Sequence, residues 1–218
     1  MTSKAAIPFS DRLVGENQAA WDAMQAHRFV EEIATGTLPE QAFHRYLVYE
    51  GAFVATAVRI FSFALAKAPT IEDQRWLHGV VGALLAEQLD YFDRAYRDLG
   101  VDPTAFDRGA PGFTAFDRGM LTIAETGGFA DIVTAMFCAE WMYLNWCRTA
   151  LARMSAEGFP REWVALHVAP GFEAQANWLK ARIDAVAKTM DDGERERLIT
   201  LFGEVIALEI AFHTAAFG

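Results

Sequence analysis

Basic residues are scarce and nowhere form a block: 19 Lys and Arg stand against 29 Asp and Glu, a net charge of −10 over 218 residues. Nucleic-acid binding draws much of its affinity from a basic stripe, and attraction to an anionic membrane surface needs similar clusters. Neither partner is expected. The acidity is compatible with a cationic or neutral small molecule, and equally with solubility alone. Cysteine is nearly absent. Cys138 and Cys147 lie nine positions apart on one helical stretch, which separates them by roughly 13 Å along a helix axis, too far for a disulfide. Reduced thiols and a cytoplasmic location are expected. No run of about 18 apolar residues is free of charge, and the opening "MTSKAAIPFSDRL" has no apolar signal core. No Ser/Pro/Gly-rich linker divides the chain, so one domain spanning 1–218 is expected. Also missing are a glycine-rich phosphate loop, a serine nucleophile elbow and any Glu-x-x-His pair of the kind that builds di-metal bundles. No metal or cofactor is expected.

What the chain has in quantity is apolar residues, 53% of the total, six of them tryptophan, arranged with helical rather than strand periodicity. Ser10 is placed to cap a first helix running to about Gln25. "GTLPEQAF" supplies a glycine stop, a threonine cap and a proline at the first turn of a long helix ending near Lys67. "APTIEDQ" repeats that grammar and opens a helix to about Leu99. A turn-rich segment, Val101 to Gly112, follows; the hexapeptide "TAFDRG" occurs there at 104–109 and again at 114–119, too short a duplication for a structural repeat. The next helix starts around Phe113. "TGGFADIV" breaks the chain and starts a helix from about Phe129 to Met154. "GFPREW" opens another, interrupted at Pro170-Gly171, and "DDGERER" opens the last. The expected fold is an all-α bundle of about seven helices.

In such a bundle the functional signal is a polar group inside an apolar face. Four occur. Glu50 sits in "YLVYEGAFV", where it could also satisfy backbone at a helix kink. Glu140 sits in "FCAEWMYLNW" with Tyr143 nearby on the helix. An unpaired buried charge costs several kcal/mol, so Glu140 is paired, protonated, at an exposed edge, or catalytic. Trp141 and Trp146 read as core. His167 ends the apolar run of "WVALHVAPGF", where a capping or core role competes with a functional one. Glu209, in "FGEVIALEIAFHTAAF", has apolar neighbours on every side. It is the strongest candidate for a raised pKa and acid/base work. Glu209 and His213 share a helix face, but two ligands on one helix are a weak case for a metal.

These segments, in order, resemble the TenA/thiaminase II family, whose fold is heme-oxygenase-like. The resemblance runs through "HRFVEEIATGTLPEQAFHRYLVYEGAF", "ETGGFADIVTAMFCAEWMY", "FPREWVALH" and "LEIAFHTAAF". It implies that Glu209 is the catalytic glutamate, Tyr143 a tyrosine of the active-site helix and Phe212 a wall of the pyrimidine pocket. Glu50 stands where the family has an aspartate that grips the aminopyrimidine. Phe53, Phe116 and His167 stand where it often has tyrosines. The family's nucleophilic cysteine falls on Ala139, one residue from Cys138 and therefore about 100° away around the helix. The chain thus resembles the branch that lacks this cysteine and salvages degraded thiamin pyrimidines, with Glu140 the candidate for the missing catalytic group.

That resemblance implies a hydrolase converting aminopyrimidine or formylaminopyrimidine to hydroxymethylpyrimidine, with a small-molecule pyrimidine as its partner and a homodimer or homotetramer as its assembly. A non-catalytic pyrimidine-binding or regulatory protein on the same fold is the competing expectation, motivated by the missing cysteine. A third, oxygen-dependent ring oxidation as in the related pyrroloquinoline-quinone synthase, would call for a basic anion-binding pocket.

Overall fold

The computed structural model describes residues 7–218, and among them every regular element is helical. The reading of the extreme N-terminus as lacking a signal core rests partly on residues outside that range. Eleven α-helices follow in order: α1 (Phe9–Glu16), α2 (Gln18–Gln25), α3 (Arg28–Thr35), α4 (Glu40–Lys67), α5 (Ile71–Ala83), α6 (Leu89–Leu99), α7 (Pro111–Thr126), α8 (Phe129–Arg153), α9 (Phe159–Leu166), α10 (Pro170–Val186) and α11 (Asp192–Ala215). They exceed the seven expected for local reasons. Asn17 divides the first helix, α3 is an additional short helix, and Pro170 starts a new helix rather than kinking the old one. A π-helical turn, Leu84–Gln88, joins α5 to α6 without a break in direction-setting backbone, so one expected helix becomes two.

Some start signals hold and two do not. Thr70 caps α5 by accepting from the Asp73 N–H, and Asp191 and Glu194 form a reciprocal box at the start of α11, each cap contributing on the order of 1 kcal/mol. Gly36 ends α3 in the left-handed conformation, φ 72°, where glycine carries no Cβ penalty. Thr37, however, caps nothing: its hydroxyl pairs with Thr35 and Pro39 holds the cap position of α4. Ser10 lies inside α1, where its N–H and hydroxyl both bond Asp184 of α10. Tertiary contact has taken the residue that local pattern assigned to capping.

Helices α4, α8 and α11 form the interior, α7 packing against α4 and α11, and α10 along α8. Buried side chains from Phe9 to Ala216 make one continuous hydrophobic cluster, and burying each large member fully contributes about 1.5–3 kcal/mol. Helices α4 and α11 are long and apolar enough to cross a membrane, but half of the most apolar window of α4 and 44% of that of α11 are buried inside the fold. Gly51 allows α6 to close on α4. A Cβ there would fall 2.0 Å from the Tyr96 hydroxyl oxygen, which donates to the Leu47 carbonyl at 3.0 Å. That close approach brings the α5–α6 segment over the face of α4 that carries Glu50.

Candidate active site

A cavity of about 730 Å³ lies between α4, α5, α6, α7, α8, α9, α10 and α11. All eight candidate residues line it: Glu50 and Phe53 from α4, Phe116 from α7, Glu140 and Tyr143 from α8, His167 at the end of α9, and Glu209 and Phe212 from α11. Phe53, Phe116 and Phe212 make one aromatic wall, with ring centroids 4.6 Å and 4.7 Å apart along the series. Its carboxylates, Glu50, Glu87, Asp90, Glu140 and Glu209, face a single arginine, Arg94. A basic pocket for an anion is not what these residues build.

Glu209 is wholly buried, and neither carboxyl oxygen has a hydrogen-bond partner among the described residues. The nearest cationic candidate, His213 Nδ1, lies 3.8 Å from Oε2 but is bound at 2.8 Å to the carbonyl of Glu209 itself. Burial lowers the His213 pKa to about 3, so the ring is neutral and the approach is no ion pair. Burial first, and the negative charge of Glu50 second, push the Glu209 carboxyl up to about 8. A carboxyl held protonated near neutral pH is a competent proton donor.

Glu140 is only 7% exposed, and among the described residues it makes no salt bridge. Its Oε1 accepts from the Gln175 amide on α10, and its Oε2 is buried without a protein partner among the described residues. Burial raises this carboxyl to about 8 as well, against the opposing pull of the Gln175 bond. Of the four states open to it from sequence, the exposed edge and the ion pair are excluded.

Glu50 lies inside α4, which is helical from Glu40 to Lys67, and its hydrogen-bond partner is a side chain. Its Oε2 accepts from Trp163 Nε1 at 2.6 Å, and its Oε1 lies 3.5 Å from His167 Nε2. His167 is fixed in turn through Nδ1 to the Trp163 carbonyl, 2.9 Å, and stacks on Tyr143 with centroids 5.1 Å apart. The Tyr143 hydroxyl meets that of Tyr46 at 2.6 Å, and burial raises both phenol pKa values well above the usual 10, keeping them neutral. Arg148 is engaged by Glu173, so it compensates neither Glu50 nor Glu209. Among the described residues no group of three His, Cys, Asp or Glu side chains could hold a metal ion.

Cys138 stands apart from the cavity, whereas Ala139 lines it. The thiol is fully buried, donates to the Phe202 carbonyl at 3.6 Å, and has its pKa pushed well up by burial. Such a thiol behaves as a small hydrophobe. Cys138→Ala is expected to retain at least about a tenth of wild-type turnover, the cost being packing alone; a thousandfold loss in a folded variant would make the thiol a participant.

Trp163, Gln175 and Tyr46 are partners that sequence reading passed over. Trp163 was legible, because it precedes His167 by four positions and so shares its helix face. Gln175 and Tyr46 carry no sequence signal of their own. The wall from the π-helical turn and α6, including Leu84, Glu87 and Tyr91, was likewise read only as ordinary helix.

Comparison with known proteins is consistent with this geometry. The chain is 25% identical to an aminopyrimidine aminohydrolase of Halalkalibacterium halodurans over 97% of its own length and 96% of the relative's. It is 20% identical to one of Helicobacter pylori, over 95% and 98% respectively. Its fold superposes on a TenA homologue from Pyrococcus furiosus with a TM-score of 0.88 at 23% identity, covering 95% of this chain and 99% of that one. A protein of heme oxygenase-like fold from Shewanella denitrificans gives a TM-score of 0.72 at 10% identity over 95% and 91% of the two chains. Residues 16–218 match the TENA/THI-4/PQQC family, and the protein with these three carboxyls, two of them buried, in one aromatic cavity belongs to that family.

Proposed function

We propose that the protein is a hydrolase of thiamin salvage, converting aminopyrimidine or its formylamino derivative to hydroxymethylpyrimidine. The observation that carries this reading is Glu209, whose two buried oxygens have no protein partner among the described residues, in a cavity shared with Glu50, Glu140 and an aromatic wall. The pyrimidine ring lies against Phe53, Phe116 and Phe212. Glu50, held by Trp163, accepts hydrogen bonds from the amino-substituted edge of the ring. Glu209 donates its proton to the departing amine as the C–N bond breaks. Burial raises Glu140 to about 8, and the bound basic pyrimidine favours its ionised form, its proton leaving to solvent; that carboxylate takes a proton from the water that forms the new C–O bond. Ammonia leaves from aminopyrimidine; the formylamino derivative consumes a second water, which cleaves its C–N amide bond and releases formate, and proton return between the two carboxyls and solvent restores the site. With Ala139 at the cavity wall and Cys138 turned away, no covalent thiol adduct is part of the sequence.

The names of the two aminohydrolases above support this reading, as does the acidic lining, which suits a basic aminopyrimidine and not an anionic quinone precursor. We further assign the protein to the cytoplasm, as one domain in a homo-oligomer, with no nucleic-acid or membrane partner. The test is one assay with aminopyrimidine, formylaminopyrimidine and thiamin, scored for ammonia, formate and hydroxymethylpyrimidine. Either of the first two should turn over much faster than thiamin; comparable rates would overturn the proposal. Tight pyrimidine binding without ammonia release would favour the competing non-catalytic reading.

A further inference from the structure

Buried acids in a cavity are ambiguous as proton donors or acceptors until something distinguishes their two oxygens. For Glu140 the structure supplies that distinction. Gln175 reaches across from α10, the helix packed along α8, and its Nε2 donates to Oε1 of Glu140. The other oxygen, Oε2, is buried and has no protein partner among the described residues. Both side chains line the cavity. We infer that Gln175 is a positioning residue that dedicates Oε1 of Glu140 to the protein and leaves Oε2 as the one oxygen through which that carboxyl exchanges protons. The inference rests on the acid/base role given to Glu140 in the proposed reaction.

The chemistry follows from the inventory of donors. An amide N–H binds the carbonyl-like oxygen of a protonated carboxyl better than its hydroxyl oxygen, so the proton is driven onto Oε2. When the group ionises, the same N–H stabilises charge on Oε1 and the lone pairs of Oε2 stay free for water or substrate. The reverse amide orientation would do the opposite: the amide oxygen would accept the carboxyl proton and withdraw it from the cavity. The two orientations move the Glu140 pKa in opposite directions when Gln175 is removed. Other charged and titratable groups around these helices are Glu209 on α11, Glu50 on α4, and His167 after α9. On α8 and α10 themselves, Arg148 pairs with Glu173, Lys180 with Asp11, Asp131 with Arg197, Arg153 with Glu31 and Arg182 with Asp73, while Asp184 accepts from Ser10. A Gln175→Leu exchange leaves all of them in place.

The experiment measures Gln175→Leu in the full chain. Its kcat is expected to fall about tenfold with KM changed by less than about twofold, as loss of a transition-state rather than a binding interaction requires. In a Glu140→Gln background the same exchange should cost nothing further. A ¹³C NMR titration of the glutamate carboxyls, with the Glu140 resonance assigned by its loss in Glu140→Gln, should show that pKa rising by about one unit on removal of the donor. Equal losses of kcat in both backgrounds would reveal a merely structural glutamine and overturn the inference. An unchanged or lowered Glu140 pKa would do the same. Gln175→Met serves if the leucine variant does not fold. Should wild type release no ammonia, the functional reading fails by itself, and the carboxyl titration still decides for or against Gln175.

Discussion

Glu209→Gln is expected to lower kcat by about a hundredfold or more while leaving KM for the pyrimidine nearly unchanged, the pattern of a lost proton donor. The amide keeps the size of the carboxyl and removes its proton. Both oxygens lack protein partners among the described residues, and His213 beside them is held neutral by burial, so no neighbouring cation takes over the donation. Glu50→Ala should behave in the complementary way, raising KM far more than it lowers kcat, since it removes the proposed grip on the ring edge. It also leaves Trp163 Nε1 and His167 Nε2 without their carboxylate. Steady-state kinetics on both variants, each normalised to folded protein, reads the split. If both merely lowered the melting temperature at constant kcat, the two carboxyls would be structural.

The second large effect is on stability, and its sign follows from the raised acids. Glu140 and Glu209 both titrate near 8 in the folded protein, against 4.5 in the unfolded chain. Below pH 4.5 both states hold these protons and the contribution of the buried acids is complete. As pH climbs from there towards 8, the unfolded chain releases protons that the folded protein retains, so unfolding becomes progressively more favourable. Each pH unit across that window costs about 1.4 kcal/mol per group at most. A Glu140→Gln/Glu209→Gln double variant has no proton to lose at either position. Its melting temperature, relative to unliganded wild type, should therefore rise between pH 5 and pH 8, by about 15 °C or more for a chain of this size. Parallel melting curves across that range would show that the two carboxyls ionise normally. The same linkage explains why a basic substrate suits the site, since its positive charge relieves the cost of ionising an acid in the wall.

Much of this was present in the linear chain. Helical periodicity, the Gly36 stop, the Thr70 cap and the Asp191–Glu194 box are local features, set by interactions within a turn or two. They are correspondingly readable. So were the three carboxylates, because a charge flanked by apolar residues on all sides of a helix must be compensated or used wherever that helix packs. The rotation separating Cys138 from Ala139 is also helix geometry, and the structure puts the alanine on the cavity and the thiol away from it. Tertiary structure alone decided the rest. "TAFDRG" forms the end of a 3-10 helix, a bend and a turn at 104–109 but α-helix at 114–119, because Pro111 starts α7 and its packing on α4 and α11 sustains it. Ser10 gave up a cap for Asp184. Glu50 found Trp163 across 113 positions, Tyr46 found Tyr143 across 97, and Glu140 found Gln175 across 35. Partners so distant are selected by the axial register and rotation of packed helices, and no local spacing encodes those. The raised pKa values have the same origin, since desolvation belongs to a carboxyl only after several helices have closed around it.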